Sequence, residues 1–287
     1  ASTIGTSTIG SSEAAMLGGL ALKRRWQHAR RAAGKSTEKP NLVLSSAVQV
    51  CWEKFCNYWD VEPRFVPISL EHKTLDGYDL EKYVDENTIG VVAILGVTYT
   101  GAYEPVEKIS AALDEIQSAT GLDVPIHVDG ASGAMIAPFL QPDLVWDFRV
   151  DRVASINTSA HKYGLVYPGL GWAVWRDKAA LPEDLVFSAS YLGGDMPTFA
   201  LNFSRPGSQV LLQYYLFLRL GYDGYHKVQK ASQDVALYLS GEIAKMPQFD
   251  LWNDGSDIPV FAWSIAQGHG KNWNLYHLSD RLRLKGW

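Results

Sequence analysis

The segment SINTSAHKYGLVYPGLGW places His161 and Lys162 side by side between two apolar runs of extended character. A lysine carried on a tight turn in a cleft, stripped of water, loses proton affinity and becomes a nucleophile toward a carbonyl. The competing explanation is a solvated loop lysine. Upstream, VPIHVDGASGAMIAPF carries an extended run that ends at Asp129. An acid at a strand end of an open α/β sheet faces the crevice where ligands bind. There it could pair with a protonated ring nitrogen, with Ala131 small enough for a flat ring to lie over it. Asp129 could equally be a cap or turn acid beside Gly130 and Ser132, and Ala131 a close-packing residue. Near the start, STIGSSEAAMLGGLALKRRW sets Gly10, Ser11 and Ser12 ahead of an apolar helical pattern. Hydroxyls and backbone amides at a helix N-terminus suit a phosphate, although Ser12 and Glu13 also fit an ordinary capped start.

An amine for an aldehyde, an acid for a ring nitrogen and a cradle for a phosphate are the complement of one cofactor, pyridoxal 5'-phosphate (PLP). A dinucleotide site is a weaker fit, because no early GxGxxG turn with a matching downstream acid is present.

With these pieces in place, the chain resembles the glutamate decarboxylase family, group II PLP-dependent decarboxylases of fold type I. The motifs that carry the resemblance are TIGSSEA, NTIGVV, GVTYTG, HVDGASG, LVWDFRV, SAHKYG, GWAVWR, YLGG, TFALNFSRPGSQV and LYHLSDRLRLKGW. The family implies conversion of L-glutamate to 4-aminobutyrate and carbon dioxide. It further implies Lys162 as the Schiff-base lysine, Asp129 as partner of the pyridinium nitrogen, and Ser11 and Ser12 as phosphate ligands. By the same resemblance Gln49 and Ala131 sandwich the ring, and Thr98 lies beside the cofactor oxygen or the substrate carboxylate. Ser204 would contact the phosphate from a neighbouring subunit. His161 would support the phosphate end, or else transfer a proton. From the residues alone Thr98 reads as a turn hydroxyl, Gln49 as a helix-start polar residue, His161 as a packed histidine and Ser204 as a cap. Ala160 and Tyr163 stand where close relatives often carry glycine and phenylalanine.

Family members are longer at both ends, so the resemblance implies a fragment, with activity of the isolated chain left open. Alternative functions are another PLP-dependent amino-acid decarboxylase, a carbon–carbon lyase, or a non-catalytic PLP-binding homologue. A homodimer or higher homo-oligomer is expected.

The 287 residues are 47% hydrophobic and 20% charged, enough for one sizeable core and a second, smaller unit. A net charge of −5 argues against a broad nucleic-acid surface. The basic run KRRWQHARR, Lys23 to Arg31, has the spacing of a solvated helix face. Cys51 and Cys56 have no common zinc spacing and fit an apolar helix stripe, so no metal is expected and a reducing, cytoplasmic setting is the simpler one. Neither a membrane span nor a secretory leader is visible.

Strands are expected over NLVLSS, Arg64 to Ile68, Gly90 to Leu95, Ile126 to Val128, Arg152 to Ile156 and Gly171 to Trp175. They alternate with helices at Val48 to Trp59 and Pro105 to Ala119, plus a short one at Asp79 to Val84. That order predicts an α/β/α sandwich. Helices are further expected at Gln209 to Leu220, His226 to Ala244 and Asn274 to Leu284, with extended segments at Phe249 to Trp252 and Pro259 to Ile265. The expected division is a PLP-binding large domain over 1–220, then connecting helices and an incomplete small α/β domain over 221–287.

Overall fold

The computed structural model describes residues 3–190, 193, 194 and 196–287. Tyr191 and Leu192 of the YLGG motif lie outside the described residues.

In chain order the elements begin with β1 (Ile4–Thr8), α1 (Ser11–Ala32), β2 (Asn41–Ser45), α2 (Val50–Tyr58), β3 (Glu62–Val66) and β4 (Thr88–Ile94). Next come α3 (Val106–Thr120), β5 (Ile126–Asp129), α4 (Ala137–Leu140), β6 (Val153–Ser159) and β7 (Gly171–Trp175). The chain then passes through β8 (Phe187–Ala189), β9 (Met196–Thr198), α5 (Gly207–Ala244), β10 (Phe249–Leu251), β11 (Trp263–Ile265) and α6 (Leu275–Arg283). Strands β1 to β7 form one sheet in the order β1-β7-β6-β5-β4-β2-β3, while β8 pairs with β9 and β10 with β11. Within the seven-stranded sheet β7 runs antiparallel to β1 and β6 and the other pairs are parallel, while the two small pairs are antiparallel.

The sheet is covered on both faces, which is why β2, β4 and β6 are buried along their whole length. Alternation along the strands sorts their side chains into two cores. Leu42, Leu44, Val92 and Ile94 join Leu17, Leu22, Trp52 and Phe55 of α1 and α2. Val43, Val91, Ala93 and Val128 join Val106, Ile109 and Leu113 of α3 on the opposite face. The expected α/β/α sandwich is therefore found.

Helix α1 carries two glycines in its interior, each about 0.5–1 kcal/mol worse than alanine for helix formation. Their purpose is close approach: a Cβ on Gly19 would sit 2.6 Å from the Phe55 ring, and one on Gly18 would sit 2.4 Å from His127.

Several expectations need correction. Strand β1 was not foreseen; it is a polar run whose strand character comes from pairing with β7. The strand expected at Arg64 to Ile68 lies at Glu62–Val66, in register with β2. Pro105 is the cap before α3 and not a first-turn residue. Strand β6 continues to Ser159, three residues beyond the expected end. The helices expected at Gln209 to Leu220 and His226 to Ala244 join as α5, interrupted by a non-helical Gly221 with φ 59° and ψ −168°. The extended stretch at Pro259 to Ile265 is a strand only over Trp263–Ile265. The short helix within 79–84 is as expected, but the basic run of α1 is less solvated than expected: Lys23, Arg24, Arg25 and Arg30 are half-buried, with Lys23 donating to the Trp59 carbonyl and Arg30 pairing with Glu86. Cys51 and Cys56 are buried and free.

Candidate active site

Because β2, β4, β5 and β6 are parallel and β7 turns back beside β6, one edge of the sheet gathers the C-terminal ends of several strands. Thr8, at the end of β1, and Ser159, at the end of β6, are both opposite Gly171 at the start of β7. That register brings the residues after β1 against those after β6. Gly171 permits it, since a Cβ there would lie 2.5 Å from the Gly10 backbone.

A cavity of about 370 Å³ opens at this edge, lined by Gly10, Ser11, Ser12, Gln49, Cys51, Thr98, Asp129, Ala131, Ser132, His161 and Lys162 among others. Residues distant in sequence thus converge: Ser11, Ser12, Gln49, Thr98, Asp129, Ala131, His161 and Lys162 line this one cavity. Ser204 does not line it; it is exposed in the segment before α5. A neighbouring cavity of about 440 Å³ shares Thr98, Ser132 and Lys162 and runs toward Tyr163, Gln229 and Val260. Lys162 therefore stands where the two meet.

Asp129 is 4% exposed and its carboxylate is held on both oxygens. Trp52 Nε1 donates to Oδ2 at 2.8 Å, Asn157 Nδ2 to Oδ1 at 2.9 Å and the Ala131 amide to Oδ1 at 3.1 Å. Lys162 Nζ donates to Ser132 Oγ at 3.3 Å. The burial expected for Lys162 is not found: the side chain is exposed, because the turn after β6 carries it over the cavity mouth. His161 Nε2 lies 3.2 Å from Ser159 Oγ, while its buried Nδ1 has no partner.

The first turn of α1 is capped by Gly10 with no side-chain cap bond. The capped start through Ser12 and Glu13 is thus replaced by another arrangement. Glu13 is buried and turns back, accepting from the Ile9 amide at 2.8 Å and the Leu201 amide at 2.8 Å. This leaves the helix start, with Ser11 and Ser12 lining the cavity, in the arrangement that favours an anion. Gln49 caps α2 by accepting from the Cys51 amide at 2.6 Å, as its helix-start reading anticipated. Burial pushes the Cys51 thiol up to about 12, with the Asp129 charge adding to it, so the cavity contains no thiolate nucleophile.

Sequence reasoning missed Trp52, Asn157 and Ser132 as partners of the predicted residues. For Asn157 the signal was polarity out of place: Ser155, Asn157 and Ser159 interrupt a strand buried throughout. An anion cradle, an orphaned imidazole nitrogen, a carboxylate and a primary amine around one cavity fit PLP in its phosphate, ring and aldehyde parts.

Comparison with known proteins agrees. A family model for the pyridoxal-dependent decarboxylase conserved domain matches residues 1–265. A glutamate decarboxylase from Aliivibrio fischeri is 54% identical over 286 residues, 99% of this chain and 61% of the relative. One from Lactococcus lactis subsp. cremoris is 52% identical with the same coverage. The solved structure of Lactobacillus brevis glutamate decarboxylase superposes with a TM-score of 0.94 at 49% identity, covering all of this chain and 65% of that one. A Burkholderia pseudomallei sphingosine-1-phosphate lyase, 24% identical with a TM-score of 0.83, shares the fold over 99% of this chain and 62% of its own. The chain spans about three-fifths of the length of the curated relatives it matches. The α/β/α sheet is that of the fold type I PLP enzymes, and the chain belongs to the pyridoxal-dependent decarboxylase family.

Proposed function

We propose that this protein acts as a glutamate decarboxylase, converting L-glutamate to 4-aminobutyrate and carbon dioxide. The observation that carries this reading is the convergence of Lys162, Asp129 and the serine-flanked start of α1 on one cavity. Glutamate decarboxylases at 49–54% identity along the whole chain support the choice of substrate.

When bound, PLP supplies an electron-accepting ring for the electron pair left as the α-carboxylate departs. Each residue then has a definable task. Lys162 Nζ is the amine that would hold the aldehyde carbon. Asp129 would accept a hydrogen bond from the ring nitrogen and keep its proton in place. Ser11, Ser12 and the amides of α1 bind the phosphate. Gln49 and Ala131 flank the ring, and Thr98 holds the cofactor oxygen or the substrate carboxylate. His161 either supports the phosphate end or moves a proton through Nδ1, the ring nitrogen left open. Ser204, exposed here, reaches the phosphate of a neighbouring copy. A homo-oligomer follows from that assignment.

The PLP-binding unit is assigned to residues 1–220 and connecting helices with a small domain to 221–287, the break in α5 at Gly221 supporting the boundary. Among the described residues no helix is long and apolar enough to cross a membrane. Two buried free thiols support a cytoplasmic location.

The test is 4-aminobutyrate formation from L-glutamate with added PLP, for this chain and for one extended at both ends to the length of its relatives. Lys162→Ala lowers product formation by at least ~10³-fold, while its exposure keeps the change in stability within about 0.5 kcal/mol. A PLP-loaded extended chain that leaves glutamate untouched but decarboxylates aspartate or an aromatic amino acid overturns the substrate assignment.

A further inference from the structure

His127 is fully buried on β5, two residues before Asp129 and on the same face of the strand. Its Nε2 lies 2.7 Å from Asn157 Oδ1 and its Nδ1 lies 2.7 Å from Ser155 Oγ. Asn157 in turn donates from Nδ2 to Asp129 Oδ1. A carboxylate only accepts, so the Asn157 amide must present its nitrogen to Asp129 and its oxygen to the imidazole. That oxygen also only accepts. The imidazole proton is therefore on Nε2, and Nδ1 takes the hydroxyl proton of Ser155. Hydrogen bonds run one way, from Ser155 through His127 and Asn157 to Asp129, and such chains strengthen each member.

The packing around His127 serves the same end. Gly18 leaves α1 open where the ring sits. Trp52 meets the imidazole edge-on, with centroids 5.1 Å apart, and its own Nε1 donates to the other oxygen of Asp129. Burial lowers the His127 pKa, desolvation outweighing the opposing pull of Asn157 and Asp129, which favours the neutral ring that this wiring requires.

We infer that His127 is a positioning residue: as the neutral Nε2–H tautomer it locks the Asn157 amide, and through it holds Asp129 as an acceptor facing the cavity. The inference rests on the reading of Asp129 as partner of the cofactor ring nitrogen. Its contribution is to cofactor affinity and to the electronic state of the bound ring, since His127 itself is buried behind the cavity wall.

The experiment has two arms. In the first, the chain carrying ¹⁵N-histidine is observed by long-range proton–nitrogen correlation at neutral pH. His127 is expected as the Nε2–H form, with or without PLP; an imidazolium or an Nδ1–H form overturns the wiring. In the second, PLP dissociation constants and the absorbance of the bound cofactor are compared for the unaltered chain, Asp129→Asn, Asn157→Leu and Ser155→Ala. Asn157→Leu is expected to weaken binding about tenfold and to move the absorbance in the same direction as Asp129→Asn, a signature that loosened packing would not produce. Ser155→Ala moves both in that direction by about two- to threefold. If Asp129→Asn changes binding and absorbance while Asn157→Leu changes neither, the relay is wrong and the Asp129 reading stands. If Asp129→Asn changes neither, the Asp129 reading fails and takes the proposed purpose of His127 with it.

Discussion

The two edges of the seven-stranded sheet carry cavities of nearly the same size and opposite chemistry. At the edge where β5 and β6 begin, about 350 Å³ is enclosed by Arg25, Asp114, Asp123, Asp151, Arg152 and Arg176 among others. Its two most connected arginines are satisfied within the fold: Arg152 pairs with Asp114 at 2.6 Å and Asp123 at 3.1 Å, and Arg176 donates to the carbonyls of Val150 and Val153. At the opposite edge the cavity of about 370 Å³ ends in groups with capacity to spare: Lys162, the bare Nδ1 of His161, and a helix start with no side-chain cap. Volume does not separate structure from function here. The kinds of group that converge do: an amine, a carboxylate and an uncapped helix start meet on the side where parallel strands end.

That contrast is sharpest at Asp129. Asp129→Ala strands the buried donors of Trp52 and Asn157, which costs about 1–3 kcal/mol for each group left unsatisfied. Urea unfolding measures that loss, and PLP titration should show affinity falling at least ~10-fold with it. Arg152→Ala breaks the corresponding feature of the other edge. Its side chain is 8% exposed but its partners Asp114 and Asp123 are 64% and 75% exposed, so screening limits the loss to about 1 kcal/mol. PLP binding is expected to stay unchanged; a shared loss of cofactor affinity would dissolve the distinction between the edges.

The smallest effect concerns Glu104, buried behind the candidate site and accepting from the amides of Ile94 and Leu75 at 2.7 and 3.2 Å. Burial pushes its pKa up to about 8 against the backbone hydrogen bonds that lower it. The folded chain therefore holds this proton more tightly than the unfolded one. The stabilisation is complete below the ordinary carboxylate range and disappears as pH rises toward 8. Glu104→Gln should cost stability at pH 5, where one amide loses its acceptor, and cost less at pH 8.5. Thermal unfolding at both values checks it, and a penalty that grows with pH contradicts it.

What could be read from the sequence was what depends on local periodicity. Ile109, Leu113 and Ile116 declare α3, and NLVLSS and the run within β4 declare buried strands. Lys162, Asp129, Ser11 and Ser12 were found because their residue types suit the chemistry and their positions at turns and element ends are local facts. The partners that hold them were not, because they depend on strand order and register. Asn157 faces Asp129 only because β6 lies beside β5 with those two residues paired. Trp52 reaches Asp129 only because α2 packs over the same face, in the core that also contains α1. Strand β1 was invisible for the same reason, since its ladder partner lies in β7. The exposure of Lys162 had no local signal either, because a turn does not reveal what roofs it.

The central claim is that the cavity at the strand C-terminal edge receives PLP through Lys162. Mixing the chain with PLP, reducing the lysine adduct with borohydride and mapping the labelled peptide by mass spectrometry tests it most directly. The account predicts one dominant label on Lys162, lost in Lys162→Ala. Label spread over the surface lysines, and undiminished in that variant, would contradict it.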